Sequence, residues 1–172
     1  MLTFDTAFDR LIGHEGKFGD DRRDRGNWTS GIIGRGILKG TKYGISAMTY
    51  PDVDIKNLTL EQAKFIYKRD WWDKLNADLL PTAIVFQVWD FAINAGMGTA
   101  KRKLQQAVDV ADDGIIGNIT ISKINSMDLN DVILNLSALR LKYYTQLSTF
   151  STYGKGWVNR VADNLQYAAK DN

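Results

Sequence analysis

Residues 83–95 read AIVFQVWDFAINA, and this stretch decides the fold class. Wound as a helix it is apolar on nearly every face, so it belongs in a protein interior and not on a surface. Its exceptions are Gln87, Asp90 and Asn94, spaced three and four apart, which fall in one polar stripe along an otherwise buried helix. Pro81 and Thr82 open the element, and Gly96 and Gly98 interrupt the chain behind it.

Outward from this stretch the chain reads as helices on both sides. Thr59 followed by Gln62 is a capping box, after which Leu60, Ala63, Ile66 and Tyr67 keep the helical period. Phe4, Ala7, Phe8, Leu11 and Ile12 do the same near the start of the chain. Past Gly98, residues 99–110 form an amphipathic pattern, Asp112-Asp113-Gly114 a turn, and residues 129–147 a long helix with one apolar face. A last helix sets Trp157, Val161, Leu165 and Ala168 on one side. Residues 13–46 differ. They hold nine of the fifteen glycines, many charges and few large apolar residues, and read as turns and short strands. The expected class is α+β, mostly α, with a small β-hairpin region and a helical C-terminal lobe. The glycines near 98 divide it into regions 1–98 and 99–172.

Composition removes several function classes. There is no cysteine and a single histidine, His14, so thiolate catalysis, disulfides, Cys-ligated zinc and a His-rich metal site are excluded. No cofactor or metal is expected. The net charge of +2 comes from 22 basic and 20 acidic residues, too balanced for the basic stripe of a nucleic-acid binder. Residues 1–12 lack the pattern of a signal peptide, and no run approaches the roughly 18–20 apolar residues of a membrane span. The expectation is a chain made in the cytoplasm, without membrane insertion.

The chain has only two glutamates, Glu15 and Glu61. Glu61 sits in the first turn of the capped helix, where a carboxylate favours the positive end of the dipole. Glu15 lies just past the end of the first helical stretch, where a carboxylate opposes the dipole and its pKa is pushed upward, as suits a general acid. Asp20, Asp21 and Asp24 follow closely. Glycoside hydrolysis uses two carboxyl groups flanking the scissile bond, one protonating the leaving oxygen and one activating water or attacking the sugar. A solvated loop carries the same charges without any chemistry, so composition leaves both readings open.

Ordered motifs carry a resemblance. They are His14-Glu15-Gly16-Lys17, Asp24-Arg25-Gly26 with its Asp nine residues after the Glu, and Gly40-Thr41-Lys42-Tyr43-Gly44-Ile45-Ser46. Tyr50-Pro51, residues 54–67 (DIKNLTLEQAKFIY), Asp70-Trp71-Trp72 and residues 86–94 (FQVWDFAIN) follow, then residues 113–117 (DGIIG) and 154–161 (GKGWVNRV). Together these resemble glycoside hydrolase family 108 and the peptidoglycan-binding segment that usually completes it. Two departures stand out: Lys17 replaces the second glycine of the family's E-G-G, and residues 27–40 lengthen the hairpin.

The resemblance implies a lysozyme-like fold with a cleft, and hydrolysis of the β-1,4 bond between N-acetylmuramic acid and N-acetylglucosamine, with peptidoglycan glycan strands as partner. By likeness to phage lysozymes, Glu15 is the general acid, Asp24 positions and activates water, and a threonine holds that water. Thr41 matches the T-x-x-G-I-S motif, while Thr29 has the usual spacing of five from Asp24; Thr41 is the favoured one. Inversion is expected by the same analogy. Thr29, Tyr43, Asp90 and Asn94 are candidate substrate contacts, though Asp90 and Asn94 serve equally as buried groups satisfying helix-end amides. Trp28, Trp71, Trp72 and His14 have packing roles as their plain alternative. The biology implied is that of a monomeric phage endolysin, held in the host cytoplasm until a holin releases it to the periplasmic wall. The rival readings are a lytic transglycosylase and a non-catalytic wall-binding or secretion accessory protein.

Overall fold

The computed structural model describes residues 2–12 and 17–172. Within them the chain packs as two units, Phe4–Lys68 and Arg69–Asn172, the second including the residues up to Thr3.

The Phe4–Lys68 unit starts with α1 (Phe4–Ile12), which buries Ala7 and Phe8. Its two strands, β1 (Thr41–Lys42) and β2 (Ile45–Ser46), form one antiparallel hairpin with Thr41 opposite Ser46 and Lys42 opposite Ile45. The connecting residues Tyr43 and Gly44 both have positive φ, 51° and 75°. Two left-handed residues in succession make the turn whose twist suits a tight hairpin. Outside the hairpin, single antiparallel bridges join Gly19 to Thr41 and Trp28 to Leu38. Apart from one 3-10 turn at Arg25–Asn27, the rest of the glycine-rich stretch from residue 17 onward is turns and irregular backbone, as its composition predicts. It has too few alternating apolar residues to bury one face of a longer sheet.

The unit ends on α2 (Leu60–Tyr67). The expected capping box is fully formed: the Gln62 backbone N–H donates to Thr59 Oγ1 at 3.2 Å, and the Thr59 N–H donates to Gln62 Oε1 at 2.9 Å. Ala63, Ile66 and Tyr67 are buried. Phe8 of α1 meets Tyr67 edge-on with centroids 5.7 Å apart, and Lys64 pairs with Asp5 at 2.9 Å.

The chain leaves α2 through one π-helical turn, Lys68–Trp72, followed by the short α3 (Asp73–Leu75). The wider turn rephases the helix, and Trp72 is buried. Its indole donates to Asp78 Oδ1 at 2.6 Å and stands edge-on to Trp89 at 5.4 Å.

Then comes α4 (Thr82–Ala95), with every residue from Ala83 to Ala92 buried. Gly96, at φ 93°, stops it, and α5 (Met97–Ala107) starts at the next residue. A side chain at Gly96 would strain the backbone. After it come α6 (Asn118–Asn125), α7 (Leu129–Thr145) and α8 (Phe150–Asp171). Helices α5, α7 and α8 all pack on α4, so the stretch that reads as apolar all round is the centre of this unit. By packing, the chain divides after Lys68, and α4 groups with the helices that follow it. The fold is mostly α with one small antiparallel hairpin, as expected. No helix among the described residues is long and apolar enough to cross a membrane.

Candidate active site

Asp24 sits where the glycine-rich segment makes a single 3-10 turn, Arg25–Asn27. Its side chain caps that turn: the Gly26 N–H donates to Asp24 Oδ1 at 2.8 Å. The backbone is held on both sides, since the Asp24 N–H donates to the Asp21 carbonyl (3.1 Å) and the Asn27 N–H donates to the Asp24 carbonyl (3.2 Å). Among the described residues nothing is hydrogen-bonded to Oδ2, and the residue is exposed. One carboxylate oxygen is therefore fixed, and the other has no hydrogen-bond partner among the described residues.

The structure separates Asp24 from the neighbouring carboxylates. Asp21 accepts from Arg23 Nε (3.0 Å), Nη2 (2.8 Å) and backbone N–H (2.9 Å). Those bonds, the Arg23 side chain's first, hold its carboxyl at about 2. It is an ionised brace for the loop and a poor proton donor. Asp20 lines a hollow of about 410 Å³ with Phe18, Leu38, Lys39, Asp52, Asp54, Ile55 and Lys56. Within it, Asp54 is held below its ordinary value by hydrogen bonds from Asn57. Among the described residues no group of three or more His, Asp or Glu side chains is placed to hold a metal ion.

The two candidate threonines have different commitments. Thr41 Oγ1 donates to Asn27 Oδ1 at 2.7 Å, and its backbone pairs with Gly19 on both sides. Thr29 Oγ1 instead accepts from the Ile37 N–H at 3.0 Å and so ties the two arms of the lengthened 27–40 loop together. Only Thr41 is joined to the Asp24 turn through a side chain. The joining residue, Asn27, is 3% exposed and escaped the sequence reading. A lone Asn in a Gly-rich loop is an ordinary turn residue, and no periodicity reports its burial. Tyr43 lies in the hairpin turn, with Lys42 Nζ 5.4 Å from its ring centroid and its carbonyl accepting from the Tyr67 hydroxyl at 3.2 Å. Trp28 spends its indole N–H on the Arg22 carbonyl at 2.9 Å.

Asp90 and Asn94 belong to the helical unit. The polar stripe of α4 is where α7 and α8 dock. Gln87 Nε2 donates to the Asn164 carbonyl at 2.7 Å. Asp90 is 2% exposed and accepts from Arg140 Nη2 (2.7 Å), Arg160 Nε and Nη2 (2.9 and 2.6 Å) and Asn164 Nδ2 (2.6 Å). Arg140 Nε also donates to the Tyr144 hydroxyl (2.8 Å), which donates to Asn94 Oδ1 (2.5 Å) at the exposed end of the stripe. The Arg140 guanidinium lies 4.9 Å from the Phe91 ring centroid. Burial pushes the Asp90 carboxyl up, but the charges and hydrogen bonds of Arg140 and Arg160 outweigh it and the net direction is down. With its oxygens saturated by protein groups, Asp90 binds three helices together. The sequence reading held substrate contact in balance with a buried group satisfying helix-end amides; the partners found are instead two guanidinium groups and a side-chain amide. Glu15 and His14 lie outside the described residues.

A family model described as Glycosyl hydrolase 108 matches residues 8–96, from α1 to the end of α4. Among solved structures, the chain is similar to SagA of Brucella abortus. The two share 31% sequence identity and a TM-score of 0.83, over 98% of this chain and 94% of that one. No curated protein matches.

Proposed function

The chain belongs to the glycosyl hydrolase 108 family, and from that premise we propose that it cuts the β-1,4 bond between N-acetylmuramic acid and N-acetylglucosamine. Membership implies a glycosidase acting on peptidoglycan; the bond and the residue roles are our reading. In it Glu15 gives its proton to the leaving glycosidic oxygen. Asp24 takes a proton from the water that attacks the anomeric carbon, and Thr41 holds that water. We take the reaction to invert configuration. Thr29 and Tyr43 flank the glycan. Residues 99–172 help hold the wall, and the protein works as a monomeric phage endolysin released from the host cytoplasm to the periplasm.

The observation that carries this reading is the state of Asp24. Its backbone is braced on both sides, one carboxylate oxygen is fixed by the Gly26 N–H, and the other has no hydrogen-bond partner among the described residues. A general base needs this combination of fixed position and free acceptor. A lytic transglycosylase has no use for a water-activating carboxylate, since its own sugar hydroxyl attacks.

Mass spectrometry of muropeptides released from purified peptidoglycan tests the reading. Each cut is expected to add one water and to leave a reducing muramic acid, and Glu15→Gln is expected to abolish release. Products with 1,6-anhydro ends would overturn hydrolysis. Binding without cleavage by the native chain would overturn enzymatic function. A Glu15→Gln variant as fast as the native chain would remove Glu15 as the acid.

A further inference from the structure

We propose that Asn27 is a positioning residue that sets the polarity of the Thr41 hydroxyl, leaving its oxygen able only to accept a hydrogen bond from the attacking water. The inference rests on the hydrolytic reading above, in which Thr41 holds that water.

Asn27 is buried at the end of the 3-10 turn. Its backbone carbonyl accepts from the N–H groups of Lys39 (3.0 Å) and Gly40 (3.1 Å), and its own N–H donates to the Asp24 carbonyl. One edge of its side-chain amide faces the Asp21 carbonyl at 3.0 Å. A main-chain carbonyl can only accept, so that edge is the NH2 group. The amide oxygen is thereby turned toward Thr41 Oγ1, 2.7 Å away. An amide oxygen also only accepts, so Thr41 must spend its single proton there.

Toward any other partner the Thr41 oxygen is then an acceptor. A water bound between it and the second carboxylate oxygen of Asp24 gives one hydrogen to each, and its lone pair is left to face the anomeric carbon. Were the Thr41 hydroxyl free to rotate, it could donate to that water, take up one of its two lone pairs and turn its hydrogens out of this arrangement. Thr29 has the opposite polarity. Its oxygen accepts from the Ile37 N–H and its proton has no acceptor among the described residues, so the same logic selects Thr41 over Thr29.

The test uses Asn27→Asp, which is nearly isosteric. Ionised, the introduced carboxylate would set an oxygen 3.0 Å from the Asp21 carbonyl with no proton between them, so it is expected to turn away and give up its place beside Thr41; protonated, it can donate there again and still accept from Thr41. Reducing-end release from purified peptidoglycan is measured across pH for native, Asn27→Asp and Asn27→Ala chains, with thermal unfolding recorded at each pH. The expected result is a fall in kcat of about 10²-fold at neutral pH, the scale of a misplaced group, with KM within about twofold. The ratio of Asn27→Asp to native activity should rise as pH falls, while that of Asn27→Ala stays flat. Because it is a ratio, losses common to both chains cancel. Adding Asn27→Ala to Thr41→Val should cost nothing beyond Thr41→Val alone, since the two act through one hydroxyl.

A neutral-pH kcat within threefold of native for both Asn27 variants would overturn the inference. So would a flat ratio for Asn27→Asp, or multiplying losses in the double variant. Where an Asn27 variant fails to fold, the native chain still decides. NMR should show a Thr41 hydroxyl proton slow to exchange with water, and a rapidly exchanging one overturns the proposal. Full activity in Thr41→Val with water-adding cleavage intact would sink this inference and leave the hydrolytic reading standing. Anhydro products would sink the reading itself.

Discussion

Replacing Asp90 by asparagine removes one negative charge from a site with almost no access to water. The carboxylate is 2% exposed and Arg140 3%, while the Arg160 side chain is 37% exposed. In the variant the Arg140 guanidinium stays buried, 2.7 Å from where Asp90 Oδ2 stood, and faces a neutral amide. Breaking a buried pair by removing one partner costs about 3–5 kcal/mol, because the other charge is left uncompensated. Arg160, with 37% of its side chain exposed, keeps part of its hydration and adds the smaller share. The total for Asp90→Asn is therefore about 3–5 kcal/mol, and Arg160→Met should lose less, because Asp90 keeps Arg140 and Asn164 as partners. At roughly 2–4 °C per kcal/mol for a chain of this size, the melting temperature of Asp90→Asn should drop by about 6–20 °C. Urea unfolding at pH 7 followed by circular dichroism, with calorimetry beside it, reads both quantities. A loss under about 1 kcal/mol for Asp90→Asn, or an equal loss for both variants, would refute the reasoning. Well below its melting temperature the variant should keep activity within about threefold of native. A greater loss in folded protein would return Asp90 to the role of substrate contact.

Other outcomes follow from the same structure. The Asp90 carboxyl is held below its ordinary value when folded, so its stabilisation is complete above the unfolded value of about 3.9. It is lost as pH falls through the folded value. Urea midpoints measured from pH 5 to pH 2 should decline, and Asp90→Asn should flatten that decline. Thr59→Ala removes one arm of the capping box and should cost about 1 kcal/mol, read by the same urea assay. Gly44→Ala places a methyl at φ 75° against the Tyr67 hydroxyl. It should cost at least the roughly 1–2 kcal/mol of a left-handed L-residue, with an unchanged midpoint counting against the turn assignment. Asp24→Asn should lower kcat by about 10²-fold or more without moving the unfolding midpoint; kcat within threefold of native would remove Asp24 from the reaction.

Helices that bury an apolar face were legible in the sequence. The stretch at 83–95 gave α4, and Thr59 with Gln62 marked the start of α2 to the residue. The helix α6 was not legible, since NITISKIN is rich in β-branched residues, has no side-chain cap and buries only Thr120 and Ile124. It is set by packing on α7. The π-helical turn at Lys68–Trp72 likewise has no periodic signature. At the site, Asp24 and Thr41 were found through a family motif, and composition alone did not separate Asp24 from Asp20 and Asp21. What separates them is hydrogen bonding: Arg23 takes Asp21, and Gly26 takes only one oxygen of Asp24. Asn27 escaped because patterning reports buried apolar faces and is blind to a buried amide. The partners of Asp90 are 50 to 74 residues away, beyond any local rule.

That separation also ties the helical unit to the order in which the chain is made. Synthesis runs from the N-terminus and folding follows it, so α4 emerges with its carboxylate long before Arg160 and Asn164 exist to receive it. Until they arrive, Asp90 has at most Arg140, and the central helix cannot be closed over it without an under-paired charge. A chain broken off before α8 would lack two of the three side chains that receive the Asp90 carboxylate. The last helix thus completes an interior that the central helix, made much earlier, cannot complete by itself.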